Sequence, residues 1–209
     1  MTQNEKVTKL LARLHKIYPD PQTSLHYKSA FELLIATIMS AMTTDKVVNT
    51  LTPALFKKFP TPETMAKASV EDISALISKV NFAATKAKNI KAASERIVDK
   101  HAGKVPDSMD ELVALPGVAR KTANVVLGNA YHKAEGVVVD THVMRLTKKL
   151  GLTDKKDPEK IERDLMNIVP KNEWIDFSHM LILYGREYCP AKPHECDTCP
   201  LSEVDLCPD

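Results

Sequence analysis

The chain has 209 residues, of which 44% are hydrophobic and 27% charged, and its formal net charge is +2. This composition is typical of a globular protein with a sizeable core, and so small a net charge does not by itself indicate a nucleic-acid partner. The longest apolar run, residues 31–42, contains Glu32 and is too short to cross a bilayer, so neither a membrane span nor a membrane partner is expected. The first ten residues lack the hydrophobic core of a secretory signal, and a cytoplasmic location is therefore expected.

Helical periodicity runs through the chain. Residues 10–17 place their leucines on one face, whereas residues 31–39 are apolar all round, as expected of a buried central helix. Capping residues predict further helix starts, and Gly103 and Gly151 predict helix ends. The predicted starts are Thr61 before Pro62, Ser69 to Asp72, Ser108 to Glu111, and Asp157 before Pro158. Only residues 136–139 resemble a strand, and they are too few for a sheet, so we predict an all-α fold with a buried connector there.

Basic residues are concentrated between residues 79 and 104. They are Lys79, Lys86, Lys88, Lys91, Arg96, Lys100 and Lys104, against only Glu95 and Asp99. Such a stretch suits a surface that meets a polyanion, and it equally suits a solvated lysine-rich helix. The sequence leaves both interpretations open.

Residues 115–123, Leu-Pro-Gly-Val-Ala-Arg-Lys-Thr-Ala, join two predicted helices. Gly117 permits a tight turn, and the N–H groups at the start of the second helix, around Ala119 and Arg120, would face an anion such as a DNA phosphate. The same nonapeptide is compatible with an ordinary corner between two helices. Lys121 lies in the first turn of this second helix, and its amine is a candidate nucleophile.

Asp140 follows the strand-like run and can act as the N-cap of the next helix. A carboxylate close to a deprotonated lysine could also stabilise developing positive charge and move protons. Lys121 alone would usually be a surface residue, and Asp140 alone would usually be a cap. The pair is therefore a candidate catalytic pair only if the fold brings the two together.

All four cysteines lie in the last 21 residues with the spacing C-x6-C-x2-C-x7-C, and prolines are interleaved among them. Cys189, Cys196, Cys199 and Cys207 are predicted to bind a metal or cluster, because disulfides are disfavoured in a reducing cytosol. The spacing does not distinguish a four-cysteine zinc site from a [4Fe-4S] cluster, since both require four thiolates.

In five segments, in the same order, the sequence resembles the endonuclease III family from the first helix to the cysteines. The segments are residues 31–36 with Ser40, Ala41, Thr44 and Asp45, and residues 86–90, 115–126, 139–142 and 183–186. The resemblance implies two packed helical domains with a DNA-binding cleft between them. Residues 23–133 would form a six-helix barrel with a helix-hairpin-helix motif, and residues 1–22 and 134–209 an iron-sulfur cluster domain.

The resemblance also implies a bifunctional DNA glycosylase and AP lyase of base excision repair. Lys121 would attack C1′ of a flipped-out oxidised pyrimidine, Asp140 would be its acidic partner, and the four cysteines would hold [4Fe-4S]. The partner would be double-stranded DNA with damaged pyrimidines or abasic sites, bound by a monomer associated with the nucleoid. The DNA-binding residues implied are Met42, Phe82, Leu115, Gly117, Val118, Ala119 and His142.

The chain departs from the family pattern around the residues that would enter the DNA. Met42 stands where glutamine is usual, and Asn81, Phe82 and Ala83 replace the usual Gly-Leu-Tyr. Ala119 replaces a second hairpin glycine, and the last cysteine gap is two residues longer than usual. A monofunctional glycosylase and a DNA-binding protein without catalysis are the alternatives. Lys121 favours the bifunctional enzyme over the first, and Lys121 together with Asp140 argues against the second.

Overall fold

The computed structural model describes residues 2–192, 199–202 and 206. Within these residues the structure contains eleven α-helices, one 3-10 turn and no strand, which confirms the prediction of an all-α fold. The helices are α1 (Gln3–Ile17), α2 (Ala30–Ser40), α3 (Asp45–Lys58), α4 (Pro62–Lys67), α5 (Val70–Leu76), α6 (Ala83–His101), α7 (Met109–Val113), α8 (Arg120–Tyr131), α9 (Thr141–Lys149), α10 (Pro158–Ile168) and α11 (Trp174–Glu187), with the 3-10 turn at Lys171–Glu173. No helix of the described residues is both long enough and apolar enough to cross a membrane.

The chain divides into two compact units, Thr23–Lys133 and the combination of Met1–Gln22 with Ala134–Asp209. The first unit contains α2 to α8, and every one of its residues is described. The second contains α1 and α9 to α11. Each unit has its own cluster of buried apolar side chains.

Helix α2 is the centre of the first unit. All of its residues from Phe31 to Met39 are buried except Glu32, which lies at the helix start and accepts a hydrogen bond from the backbone of Lys28. Burial on every face explains why this segment shows no amphipathic stripe. The prediction of a buried central helix is confirmed.

The second unit surrounds α11, whose Phe177, Met180, Leu181 and Tyr184 are fully buried. Helix α1 contributes Leu10 and Leu14 to the same core, and the connector at residues 136–139 is buried as predicted. The connector is held by a hydrogen bond from the Val138 backbone N–H to the Ser178 hydroxyl (3.0 Å). An apolar segment without a strand partner can be buried here because a side chain from α11 satisfies its backbone.

Most helix boundaries follow the predicted capping residues. Thr61, Ser69 and Asp157 each accept a hydrogen bond from the third residue of the helix that they precede. Gly103 and Gly151 have positive φ angles just beyond α6 and α9, as expected of helix ends. Helix α7 also begins after Ser108, as predicted, but the expected capping box is absent, because the Ser108 hydroxyl binds the Glu111 carboxylate (2.6 Å) and not the helix backbone.

Candidate active site and cysteine loop

The hairpin between α7 and α8 is formed by a left-handed turn at Gly117, whose φ is +77°. A Cβ at this position would lie 2.8 Å from Cβ of Asn89 on α6, so the position excludes a side chain for two separate reasons. The side chains of Leu115 and Val118 are buried in the core of their unit, whereas Gly117 and Ala119 are exposed. The hairpin can therefore offer a ligand its backbone but not the side chains of Leu115 or Val118.

Lys121 is the second residue of α8, and its side chain is exposed. Ala119, the N-cap residue, makes no side-chain hydrogen bond to the helix. The first N–H groups of α8, including that of Lys121, have no carbonyl one turn earlier in the helix to bind. No side chain of residues 23–133 forms a hydrogen bond with the Lys121 amine, which is thus available to a bound molecule.

Asp140 caps helix α9, as the sequence predicted. Its Oδ1 accepts hydrogen bonds from the backbone N–H groups of His142 (2.8 Å) and Val143 (2.9 Å). Both bonds use the same oxygen, and within the described residues Oδ2 accepts none. The side chain is only partly buried, so the cap leaves one carboxylate oxygen for another purpose.

Helix α9 packs closely against α11 at Gly185. A Cβ on Gly185 would lie 2.9 Å from Nδ1 of His142 and 3.1 Å from Nη2 of Arg145. Arg145 Nη2 donates to the carbonyl oxygen of Gly185 (3.0 Å) and to that of Cys189. The glycine is therefore required for this approach, and Arg145 connects the helix capped by Asp140 to the first cysteine.

Two of the four predicted cysteine ligands can be described, and Cys196 and Cys207 lie outside the described residues. Cys189 and Cys199 are both buried, and they do not form a disulfide with each other. The Tyr184 hydroxyl lies 2.9 Å from Sγ of Cys199. Burial, together with this hydrogen bond, raises the pKa of Tyr184, so the phenol stays protonated and can donate to the sulfur.

A buried pair of thiols with a hydroxyl donor fits the needs of a thiolate-bound metal or cluster. Thiolates are the soft ligands that zinc and iron-sulfur clusters require, and hydrogen bonds to the sulfur stabilise the negative form. Among the described residues, no group of three or more potential metal ligands comes together, since two of the four cysteines are outside them. The described half of the predicted site is compatible with either cofactor.

Met42 and Phe82 are the most exposed large apolar side chains of the described residues, with 79% and 70% of their surface accessible. Both have left-handed backbones, with φ angles of +57° and +59°. Each sits in the loop before a helix, Met42 ahead of α3 and Phe82 at the start of α6. Their exposure is costly in water, and a contact surface for a ligand would account for it.

Lys86 is a functional candidate that the sequence reasoning did not single out. It is 6% exposed, and its Nζ donates to the carbonyl oxygens of Met39 (2.7 Å) and Ala41 and to the Thr43 hydroxyl (3.3 Å). Burial lowers the pKa of this lysine. The signal in the sequence is its position one turn before Ile90, on the apolar face of α6.

Comparison with known proteins identifies the family. Residues 35–171 match the model of the HhH-GPD superfamily of base excision DNA repair proteins. An endonuclease III of Synechocystis sp. is 46% identical over 207 residues, which cover 99% of this chain and 94% of that protein. The chain belongs to the endonuclease III family.

Solved structures of endonuclease III have the same fold as this chain. A non-covalent endonuclease III–DNA complex is 38% identical with a TM-score of 0.92, covering 99% of this chain and 96% of that one. A trapped endonuclease III–DNA covalent intermediate, an estranged-adenine complex, matches at 38% identity with a TM-score of 0.91 and the same coverage. The helix-hairpin-helix motif expected from the resemblance lies inside the matched segment.

Replacing Gly117 by alanine should destabilise the hairpin and weaken DNA binding. The left-handed backbone disfavours alanine by roughly 1–2 kcal/mol, and the new Cβ would displace α6 at Asn89. We expect a lower unfolding temperature by calorimetry and a weaker affinity for duplex DNA with an abasic site by fluorescence anisotropy. The matched control is Ala102→Gly, because Ala102 also has a left-handed backbone (φ +50°) and should gain stability. An unchanged unfolding temperature in Gly117→Ala would contradict the assigned turn.

Proposed function

We propose that the chain is a bifunctional DNA glycosylase and AP lyase of base excision repair that acts on oxidised pyrimidines and abasic sites in duplex DNA. The observation that carries the proposal is the exposed amine of Lys121 at the start of α8, in a chain 38% identical to an endonuclease III trapped covalently on DNA. A covalent adduct requires a nucleophile, and we propose Lys121 for this role, because the hairpin sequence around it resembles that of the family.

In the proposed reaction the Lys121 amine attacks C1′ of the damaged nucleotide. The N–C1′ bond forms as the glycosidic bond breaks, and the base leaves with a proton. Proton transfer to O4′ then opens the sugar ring and gives a protonated Schiff base between Lys121 and C1′. Removal of a C2′ proton then expels the 3′ phosphate by β-elimination, and water releases the lysine.

Asp140 is the proposed acidic partner. Its Oδ1 is engaged by the backbone of α9, whereas its Oδ2 accepts no hydrogen bond within the described residues. A carboxylate oriented by two backbone N–H groups can face the positive charge that develops at C1′ without losing its position. It can also accept the proton that the attacking amine releases.

The target base must leave the helix, because C1′ is not accessible inside the stack. In the proposed complex the backbone N–H groups around Gly117 and Ala119 bind a phosphate, and Met42 and Phe82 enter the duplex where the nucleotide has left. His142, in the first turn of α9, is proposed to contact the DNA backbone near Asp140. The exposure of Met42 and Phe82 supports the roles proposed for them.

Borohydride trapping tests the nucleophile. With an abasic-site duplex, we expect the wild-type chain to form a covalent adduct, because borohydride reduces the Schiff base to a stable amine. Lys121→Gln should lose adduct formation and strand nicking and keep DNA affinity within roughly threefold, since one charge among many phosphate contacts contributes little. Lys9→Gln, which removes an exposed lysine on α1, is the control and should trap normally.

The outcomes of this experiment separate the alternatives. Trapping by Lys121→Gln would assign the nucleophile to another residue. Base release without nicking or trapping in the wild type would indicate a monofunctional glycosylase. Binding without either reaction would indicate a protein that only holds DNA.

We infer that Cys189, Cys196, Cys199 and Cys207 hold a [4Fe-4S] cluster that organises the C-terminal loop. Residues 1–22 and 134–209 are then the cluster domain, and residues 23–133 are the helical barrel domain. The burial of Cys189 and Cys199 and the hydroxyl at Cys199 support this inference. We place the protein in the cytoplasm at the nucleoid, because its proposed substrate is chromosomal DNA, and we propose that it acts as a monomer.

Chemical analysis distinguishes the two cofactors that the spacing allows. We expect aerobically purified protein to be brown and to contain iron and acid-labile sulfide in equal amounts, because iron-thiolate bonds absorb visible light and zinc-thiolate bonds do not. Cys199→Ser should lose the colour and lower the unfolding temperature, since metal binding contributes folding free energy. Lys9→Gln, at an exposed position on α1, is the control and should keep both the colour and the unfolding temperature. A colourless protein with one zinc per chain would contradict the cluster.

A further inference from the structure

The loops that carry Met42 and Phe82 are joined directly by hydrogen bonds. Asn81, the residue before Phe82, donates from its side-chain amide to the carbonyl oxygen of Met42. Its backbone N–H donates to the hydroxyl of Thr43 (3.1 Å). One residue of the second loop therefore binds two consecutive residues of the first, 38 and 39 positions earlier in the chain.

Lys86 anchors the same loop from the protein interior. Its Nζ binds the carbonyl oxygen of Ala41, which belongs to the peptide plane before Met42, and the Thr43 hydroxyl (3.3 Å). The carbonyl bound by Asn81 belongs to the peptide plane after Met42. Both planes that flank Met42 are thus held, and together they determine its φ and ψ angles.

This anchoring explains how Met42 keeps a left-handed backbone. Phe82 is held differently, as the N-cap residue of α6, where its carbonyl oxygen accepts a hydrogen bond from the backbone N–H of Lys86 (3.0 Å). A left-handed conformation is unfavourable for residues other than glycine and persists only where the surroundings impose it. In water, neither side chain has enough contacts to hold its own loop, since 79% of Met42 and 70% of Phe82 is exposed. The side-chain hydrogen bonds of Asn81 and Lys86 supply the restraint on Met42.

We propose that Asn81 is a positioning residue that holds Met42 and Phe82 as one preformed pair of prongs for opening the DNA duplex. The inference rests on the proposed function, which has both side chains entering the helix. Two prongs with a fixed separation lose less conformational freedom on insertion than two independent loops, so their preorganisation favours the opened duplex. Asn81 stands where the family usually has glycine, which has no side chain to make the bond to Met42.

A substrate that needs no opening separates this role from a merely structural one. Single-turnover rates are measured on a duplex with one oxidised pyrimidine and on a single strand with an abasic site. Asn81→Ala should slow the duplex reaction by about tenfold, as expected for one lost hydrogen bond in the state that inserts. Nicking of the single strand should stay within roughly twofold of wild type, because there is no helix to open.

Three further variants make the experiment specific. Asn81→Asp keeps the size of the side chain and cannot donate to the Met42 carbonyl, so it should behave like Asn81→Ala or worse. Met42→Ala should slow the duplex reaction, and Asn81→Ala should slow that variant less than it slows the wild type, since part of the effect of Asn81 is exerted through Met42. Asn4→Ala, an exposed asparagine on α1, is the control and should match wild type on both substrates.

The outcomes distinguish this inference from the proposed function. Wild-type duplex rates in Asn81→Ala, together with slowed rates in Met42→Ala, would overturn the role of Asn81 and leave the proposed function in place. Equal losses on the duplex and the single strand would overturn it in favour of a structural role. Unchanged duplex rates in Met42→Ala would overturn both the prongs and the role of Asn81.

Discussion

The two hydrogen bonds that Oδ1 of Asp140 accepts from the start of α9 are the interaction on which the proposed active site depends. A helix start exposes N–H groups that need acceptors, and a carboxylate both satisfies them and matches the helix dipole. The same bonds fix the orientation of the carboxylate, so its second oxygen is presented in a defined direction. The same side chain therefore both caps α9 and holds a carboxylate oxygen in position for the proposed chemistry.

Helix α9 carries this constraint to the cysteine loop. Arg145, one turn after the cap, binds the carbonyl oxygens of Gly185 and Cys189, and Gly185 is small enough to let the two helices meet. Tyr184, next to Gly185, reaches Cys199. The cysteine loop and the candidate catalytic carboxylate are therefore parts of one hydrogen-bonded framework, and a cluster bound there would stabilise the helix that Asp140 begins.

Local sequence signals predicted the parts of the fold that depend on local physics. Thr61 and Asp157 could be identified as N-caps because each is a short polar residue directly before a proline, and proline is favoured at the first position of a helix. Gly117 could be identified as a turn residue because a left-handed backbone favours glycine. The hydrogen bond of Ser108 could not be predicted in the same way. Its hydroxyl can accept from a backbone N–H or donate to the Glu111 carboxylate, and the local sequence is compatible with both bonds.

Local sequence patterns did not predict the contacts between site residues that are far apart in the chain. Met42 adopts a backbone that its residue type disfavours, and the restraint comes from two donors, Asn81 and Lys86, which are roughly forty residues away in the chain. The resemblance to endonuclease III identified where these residues stand. It did not indicate that Asn81 would join the two loops, because glycine at that position makes no such bond.

The central claim is that Asp140 performs two separable tasks, capping α9 and stabilising positive charge at C1′. The most direct measurement compares unfolding temperature and single-turnover excision in Asp140→Asn and Asp140→Ala. Asparagine caps as well as aspartate, so Asp140→Asn should keep the wild-type unfolding temperature and excise at least about a hundredfold more slowly. Alanine should lose both functions, with an unfolding temperature lower by roughly 2–4 °C. Wild-type excision by Asp140→Asn would contradict the account, because it would leave Asp140 as a helix cap alone.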